Sequence, residues 1–218
     1  MTCCGHCADA EDLFSQRAAR RDLRRYRRKG PIATTRLLLD FLSGHDLHGR
    51  TLLDIGGGIG AIQHELLQAG LSSATHVDAS TAYLDASRRE AVRQGHGDRV
   101  EYHHGDFVEL SEALPEADLV TLDRVVCCYP DMPRLIEAST SRARHLYGLS
   151  YPRARLGTKT AFAMANLFFR LRGSAFRTYL HRPEAIGEEV TRHGFSRIAE
   201  GRTFLWHVVL YRRTPAGD

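Results

Sequence analysis

The 218-residue sequence predicts an α/β domain: a seven-stranded sheet of five parallel strands closed by a C-terminal antiparallel hairpin, with helices on both faces. Three observations carry that prediction. Short apolar runs alternate with amphipathic stretches from Thr51 to Tyr151, the pattern of strand–helix–strand units and a parallel sheet. The last two runs, Phe195–Ala199 and Phe204–Tyr211, lie too close together for a parallel crossover, which takes about a dozen residues, so they pair antiparallel. Composition agrees: 43% apolar and 26% charged residues are globular proportions, and the chain is long enough to bury a full core.

Each element has a local cause. From Glu11 to Arg28, Leu13, Phe14, Ala18 and Leu23 are sparse among charges, which reads as a mostly exposed helix ended by Gly30-Pro31. Thr34 or Thr35 is placed to cap a second helix, whose Leu37, Leu38, Phe41 and Leu42 recur at helical spacing. Thr51–Ile55 is an apolar run stopped by a glycine cluster, followed by an amphipathic helix over Ile59–Ala69. Ala74–Asp78 ends in an acid and leads into a helix from Thr81 to Gln94; Val100–His103, Leu119–Leu122 and His145–Tyr151 complete the parallel set. A helical stretch over 158–172 and a helix from Pro183 to His193 precede the hairpin. The expected division is a basic N-terminal arm or lid over 1–30, a main domain over 31–212 with a helical cap inserted around 153–182, and a tail over 213–218.

The charge is concentrated. Of 30 basic residues only Lys29 and Lys159 are lysine, and residues 1–30 carry eight bases against four acids, a net +4 that equals the net charge of the whole chain. The rest of the chain is balanced, so a basic arm on a neutral body is expected and stable nucleic-acid binding is not. Five cysteines, three of them within Cys3–Cys7 and two adjacent at Cys127-Cys128, form no disulfide framework and suit a reducing compartment. There is no signal-peptide core and no apolar run near the roughly 18 residues of a membrane span, so a cytoplasmic location is expected, as monomer or homodimer, with peripheral membrane contact left open.

The chemistry lies in Leu53-Asp54-Ile55-Gly56-Gly57-Gly58-Ile59-Gly60-Ala61, between the first strand and its helix. Glycines there permit a tight turn and let a ligand touch backbone N–H groups at a helix N-terminus, at the carboxyl end of the sheet where open α/β folds bind ligands. Taken alone, the loop also satisfies a dinucleotide fingerprint. Three further features decide. Asp54 would repel a pyrophosphate but can hold an ammonium group; Asp78, ending the second strand, can accept from two ribose hydroxyls; Gly105-Asp106-Phe107 offers an acid and an aromatic ring for adenine. A ligand with an amino-acid end, a ribose and an adenine is S-adenosylmethionine.

On these residues the chain resembles the class I S-adenosylmethionine-dependent methyltransferases, with Asp54–Ala61 as the glycine-rich motif, Asp78 as the ribose acid, Gly105-Asp106-Phe107 on the adenine side and Ala117–Asp123 as the fourth strand. The likeness covers about residues 34–211 and implies a Rossmann-like sheet with S-adenosyl-L-methionine as cofactor. It further implies that Asp54 neighbours the methionine amino group, Gly56 and Gly58 contact the methionine and ribose, Asp78 holds the ribose, Asp106 and Phe107 the adenine, and Asp123 and the Arg124 backbone border the methionine end, with Ala79 also against the cofactor. Tyr26, Lys29 or Thr34 would close over the cofactor from the arm. The basic entry segment, His181-x-Pro183-Glu184 and the closing hairpin are similar to magnesium-protoporphyrin and quinone methyltransferases.

The implied reaction is in-line methyl transfer to a small hydrophobic or anionic acceptor. The sulfonium leaving group is good, so alignment and desolvation carry much of the catalysis, and a base is needed only for an acceptor protonated at working pH. Tyr129 and His181 are the catalytic candidates; packing and a loop position are their ordinary alternatives. Cys3, Cys4, His6 and Cys7 lack a second ligand pair, so no metal is expected, and Cys127-Cys128 read as small buried residues. The Arg17–Lys29 run reads as a solvated helix face before it reads as an RNA or anionic-lipid surface, and Thr160–Arg172, apolar with basic ends, as a greasy cap or an interfacial helix, with a dimer contact or ordinary core as the plain alternative. Two other functions stay open: an RNA methyltransferase or RNA-binding protein using the arm, and a cofactor-binding protein without catalysis.

Overall fold

The computed structural model describes residues 14–215; the Cys3–Cys7 tip and the end of the tail lie outside them. The strands are β1 (Thr51–Ile55), β2 (Ser73–Asp78), β3 (Val100–His104), β4 (Ala117–Asp123), β5 (Ala143–Pro152), β6 (Phe195–Arg202) and β7 (Trp206–Arg213). They form one sheet in the order β3-β2-β1-β4-β5-β7-β6. β1 to β5 run parallel, and β7 enters antiparallel between β5 and β6, as the short connection requires.

Eight α-helices are described: α1 (Gln16–Lys29), α2 (Ala33–Leu42), α3 (Ala61–Gln68), α4 (Thr81–Arg93), α5 (Phe107–Leu110), α6 (Met132–Ser141), α7 (Leu156–Leu171) and α8 (Pro183–Arg192). Period-two alternation sends strand residues to two separate cores. Leu53, Ile55, Val120, Leu122, Leu149 and Val209 are buried with Leu135 and Ile136 of α6 and Ile186 and Val190 of α8. Leu52, Leu119, Leu146, Val208 and Leu210 are buried on the other face with Leu38 and Leu42 of α2 and Ile62, Leu66 and Leu67 of α3.

The structure corrects the sequence reading in three places. Helix α6 was not assigned, although Asp131 caps it by accepting from the Arg134 N–H at 3.1 Å and Pro133 sits in its first turn. Helix α2 is entered from Ile32, and Thr34 and Thr35 are buried within its first turn instead of capping it. Helix α1 is not simply a solvated face. Ala19, Leu23 and Tyr26 are buried against Ala82, Tyr83 and Ala86 of α4, and Arg27 donates to the fully buried Glu90 at 2.8 Å. Two more bonds pin it: the Tyr83 hydroxyl donates to Asp22 at 2.6 Å and the Tyr26 hydroxyl to Glu65 of α3 at 2.8 Å. Arg17, Arg20, Arg24 and Arg28 do face outward, so charge and attachment share one helix.

Candidate active site

A cavity of about 740 Å³ opens at the carboxyl end of the parallel strands, between the glycine loop below and α1 with the 174–182 segment above. Its floor is the β1–α3 loop. Gly56 has φ +61°, and a Cβ on it would stand 2.5 Å from Val125 Cγ2; a Cβ on Gly57 would stand 2.5 Å from Asp54 Oδ2. Neither position has room for a side chain, so backbone N–H groups form the surface that a ligand meets.

Beneath that loop a row of polar side chains crosses four strands in register: Thr121 of β4, Asp54 of β1, His76 of β2 and Tyr102 of β3. The Thr121 hydroxyl donates to Asp54 Oδ1 at 2.7 Å. Gln63 of α3 donates through its amide to Ser87 at 2.8 Å, so its carbonyl oxygen accepts from His76 Nδ1, also at 2.8 Å. That fixes His76 with its Nε2 unprotonated, and burial pulls its pKa down to about 3. Asp54 is 1% exposed, and its Oδ2 has no hydrogen-bond partner. Burial, seconded by the nearby Asp123 and Asp78 charges and opposed by Thr121, pushes its carboxyl up to about 7.

The other acids are held in place. Asp78 accepts from the Gly58 N–H at 2.9 Å and the Ser80 N–H at 2.8 Å, which fixes the carboxylate at the strand end. Asp106 caps α5 by accepting from the Val108 N–H at 2.9 Å, and the Tyr129 hydroxyl donates to it at 3.2 Å. Asp123 accepts from Thr35 and Ser150, each at 2.5 Å, and the Arg124 N–H donates to the same Ser150. Arg124 has φ +65°, an unusual backbone for a side-chain-bearing residue, on the cavity wall.

Of the residues singled out from sequence, Tyr26, Asp54, Gly56, Gly58, Asp78, Ala79, Asp106, Phe107, Asp123, Arg124 and Tyr129 line this one cavity. Thr34 does not. Its neighbour Thr35 does, because one residue along a helix turns the side chain by about 100°. Lys29, at the end of α1, is also off the wall. His181 stands behind it, donating from Nε2 to the Tyr129 carbonyl at 3.0 Å, so it can position Tyr129 but does not face the cavity. Cys127 is buried as expected, yet it and Cys128 both line the cavity, with their sulfurs 3.7 Å apart.

Sequence reasoning missed Phe14, Arg21, Arg25, Phe176 and Trp206, which complete the walls and roof. Trp206 could have been found. β7 runs against its neighbours, so its first residue reaches the rim where the parallel strands end. The others come from segments whose path over the sheet follows from tertiary packing alone: Phe14 packs on Tyr83 and Phe176, and Phe176 on Phe169 of α7.

Residues 52–146 match the family described as "Methyltransferase domain". A ribosomal protein L11 methyltransferase of Erwinia tasmaniensis is 32% identical over 142 residues, 64% of this chain and 46% of that protein. One from Salmonella arizonae is 39% identical over 74 residues, 34% of this chain and 25% of that protein, so the chain spans less than half the length of these curated relatives. Among solved structures, magnesium protoporphyrin IX methyltransferase from Synechocystis PCC 6803, crystallised with SAM bound, superposes with a TM-score of 0.71 at 18% identity, covering 96% of this chain and 97% of that one. An O-methyltransferase family protein from Burkholderia thailandensis gives 0.65 at 19% identity over 84% and 57% of the two chains. Residues 52–146 thus resemble a methyltransferase domain in sequence, and the whole sheet has the fold of these solved methyltransferase structures.

Proposed function

We propose that this chain, built on a methyltransferase domain, transfers a methyl group from S-adenosylmethionine to a small hydrophobic or anionic molecule. The observation that carries the cofactor is Asp54: a buried carboxylate oxygen without a partner, under a loop that only backbone lines, is satisfied by a cationic amino group. The remaining acids fit the same ligand. Asp78, anchored at the strand end by the Gly58 and Ser80 N–H groups, turns a carboxylate toward the cavity as an acceptor for ribose hydroxyls, and Asp106 stands beside Phe107 for an adenine amino group and ring face.

When bound, S-adenosylmethionine supplies an electrophilic methyl on a sulfonium. The protein's part is to orient and dry the site. Asp123, clamped by Thr35 and Ser150, and the strained Arg124 backbone fix the wall where the methionine end lies. Phe14, Phe176 and Trp206 form an apolar wall that excludes water and can accept a hydrophobic body. Arg21 and Arg25, on the same cavity, suit an acceptor that carries a carboxylate. A carboxylate acceptor needs no base. For a hydroxyl acceptor, the Tyr129 phenol on the cavity wall, backed by His181, can take the acceptor's proton as its own passes along its hydrogen bond to the Asp106 carboxylate.

Calorimetry with S-adenosylhomocysteine and with NADH tests the cofactor. The homocysteine nucleoside binds, Asp78→Ala weakens it, and NADH does not bind; the reverse pattern ends this reading. The acceptor is tested by incubating the protein and methyl-labelled S-adenosylmethionine with a whole-cell extract. Label in the low-molecular-weight fraction is expected. Label in ribosomal protein or RNA would instead support an acceptor like that named for the L11 methyltransferases.

A further inference from the structure

Helix α7 carries apolar residues on both faces. Phe162, Ala165, Asn166 and Phe169 face the protein, where Asn166 exchanges hydrogen bonds with Thr178 and Phe169 packs on Phe176 of the cavity roof. The opposite face carries Leu156, Met164, Leu167, Phe168 and Leu171, all more than half exposed, at the spacing of one helical stripe. The tip of the β6–β7 hairpin extends this surface. Phe204 is 81% exposed beside Leu205, whose carbonyl accepts from the Arg153 N–H just ahead of α7.

Along the segment that carries α7 the charge has one sign, and the acid of the hairpin, Glu200, is paired with Arg197, Arg202 and His207. Residues 153–183 contain seven Arg and Lys residues and no Asp or Glu. Lys159 and Arg170 edge one side of the stripe, and Arg172 leaves the helix end with its guanidinium over the Phe168 ring at 4.5 Å. A stripe of long apolar side chains bordered by cations, with the helix axis free to lie flat, matches the boundary between acyl chains and anionic headgroups.

We propose that α7 and the β6–β7 tip dock the protein onto an anionic lipid bilayer, with the apolar stripe entering the acyl boundary and the flanking bases meeting phosphate headgroups. The inner face of the same helix packs through Phe169 on Phe176 of the cavity wall, so docking sets the site near the membrane surface. Delivery of a lipid-dissolved acceptor follows only if the methyltransferase reading holds; lipid binding itself does not depend on that reading. A protein partner would have to match a patch with no acid across 31 residues, and an acidic bilayer does so without any specific fit.

The test is co-sedimentation of the full chain with vesicles of phosphatidylglycerol and phosphatidylcholine, and with phosphatidylcholine alone. Binding is expected to the mixed vesicles, weakened about tenfold by raising salt from about 0.05 to 0.5 M, because screening shortens the reach of the headgroup charge. Leu167→Ser with Phe168→Ser, and separately Lys159→Glu with Arg170→Glu, each reduce it by at least about tenfold. None of these four residues lines the cavity, so S-adenosylhomocysteine calorimetry on both variants reports that the fold is intact. The proposal is overturned if the wild type ignores anionic vesicles, or if both variants bind them undiminished, which would place the contact on the α1 arginines. Sedimentation velocity showing a dimer that the serine variant disperses, without lipid binding, would likewise assign the stripe to a second copy. Loss of nucleoside binding with vesicle binding intact would strike the cofactor reading and leave this one standing.

Discussion

The floor and the roof of the cavity are built on opposite terms. The floor packs polar atoms at full burial: Thr121, Asp54, His76, Gln63 and Ser87 are each 1% exposed or less, under a loop whose Gly56 and Gly57 have no room for a side chain. The roof does the reverse and leaves Leu156, Leu171 and Phe204 about four-fifths exposed over a cavity that it closes through two or three aromatic contacts. Burying unpaired polar groups is costly, and so is exposing large apolar ones. On the readings proposed above, each departure has a partner that offsets its cost: a cation under the loop, an apolar phase outside α7.

Breaking the floor is expected to have the largest effect. Gly56→Ala forces a Cβ into Val125 at a φ that L-residues avoid, and overpacking with backbone strain of this kind lowers S-adenosylhomocysteine affinity about a hundredfold. Circular dichroism with calorimetry separates that loss from unfolding. Asp54→Asn comes next. It weakens the nucleoside about ten- to hundredfold, the range for a hydrogen bond to a charged group, while making the ligand-free chain more stable at alkaline pH. The folded carboxyl titrates near 7 and the unfolded one near 3.8. The folded state therefore holds more protons between those values, and the stability this group contributes is full at acid pH and lost as pH rises through about 7. Melting curves should show the variant overtaking wild type over that window, and wild-type nucleoside affinity rising across it.

The hinge between floor and roof is α1. Leu23→Ala removes a buried anchor worth about 2–5 kcal/mol where the arm meets α4, and the arm's detachment weakens the nucleoside about tenfold with faster proteolysis within 16–29. Unchanged affinity would take the arm out of the site. Thr35→Val is milder. It removes one of the two hydroxyls that donate to the Asp123 carboxylate and leaves Ser150 in place, so it acts on the ligand only indirectly and shifts affinity a few-fold. Roof variants in the outward stripe, such as Phe168→Ser, leave nucleoside binding unchanged, and a change there would show that the two regions are coupled.

The same contrast explains what could be read from the chain beforehand. The floor is encoded locally. Asp54, the glycines and Asp78 lie at strand ends, and an α/β connection delivers strand ends to one rim, so eleven of the named residues share a cavity. Thr34 and Lys29 failed because assigning a helical side chain to a cavity needs its rotation about the helix axis, which neither an N-terminal signal nor a basic run fixes. His181 failed because its loop passes behind Tyr129. The solvated reading of α1 counted its arginines and overlooked that Ala19, Leu23 and Tyr26 recur three and four apart, an apolar seam just wide enough to dock. Phe14 and Phe176 meet across 162 residues of chain, and no local pattern announces such a pair.

β7 is the last strand in the chain but an interior one in the sheet, paired to β5 through seven residues from Leu146↔Arg212 to Pro152↔Trp206. Synthesis proceeds from the other end, so the nucleoside half can assemble while β5 still has an open edge and the loop bearing Arg153 has nothing to rest on. Only when Trp206 zips into that gap does the cavity gain its final wall. A chain lacking that strand would leave β5 an open edge and the cavity without its Trp206 wall.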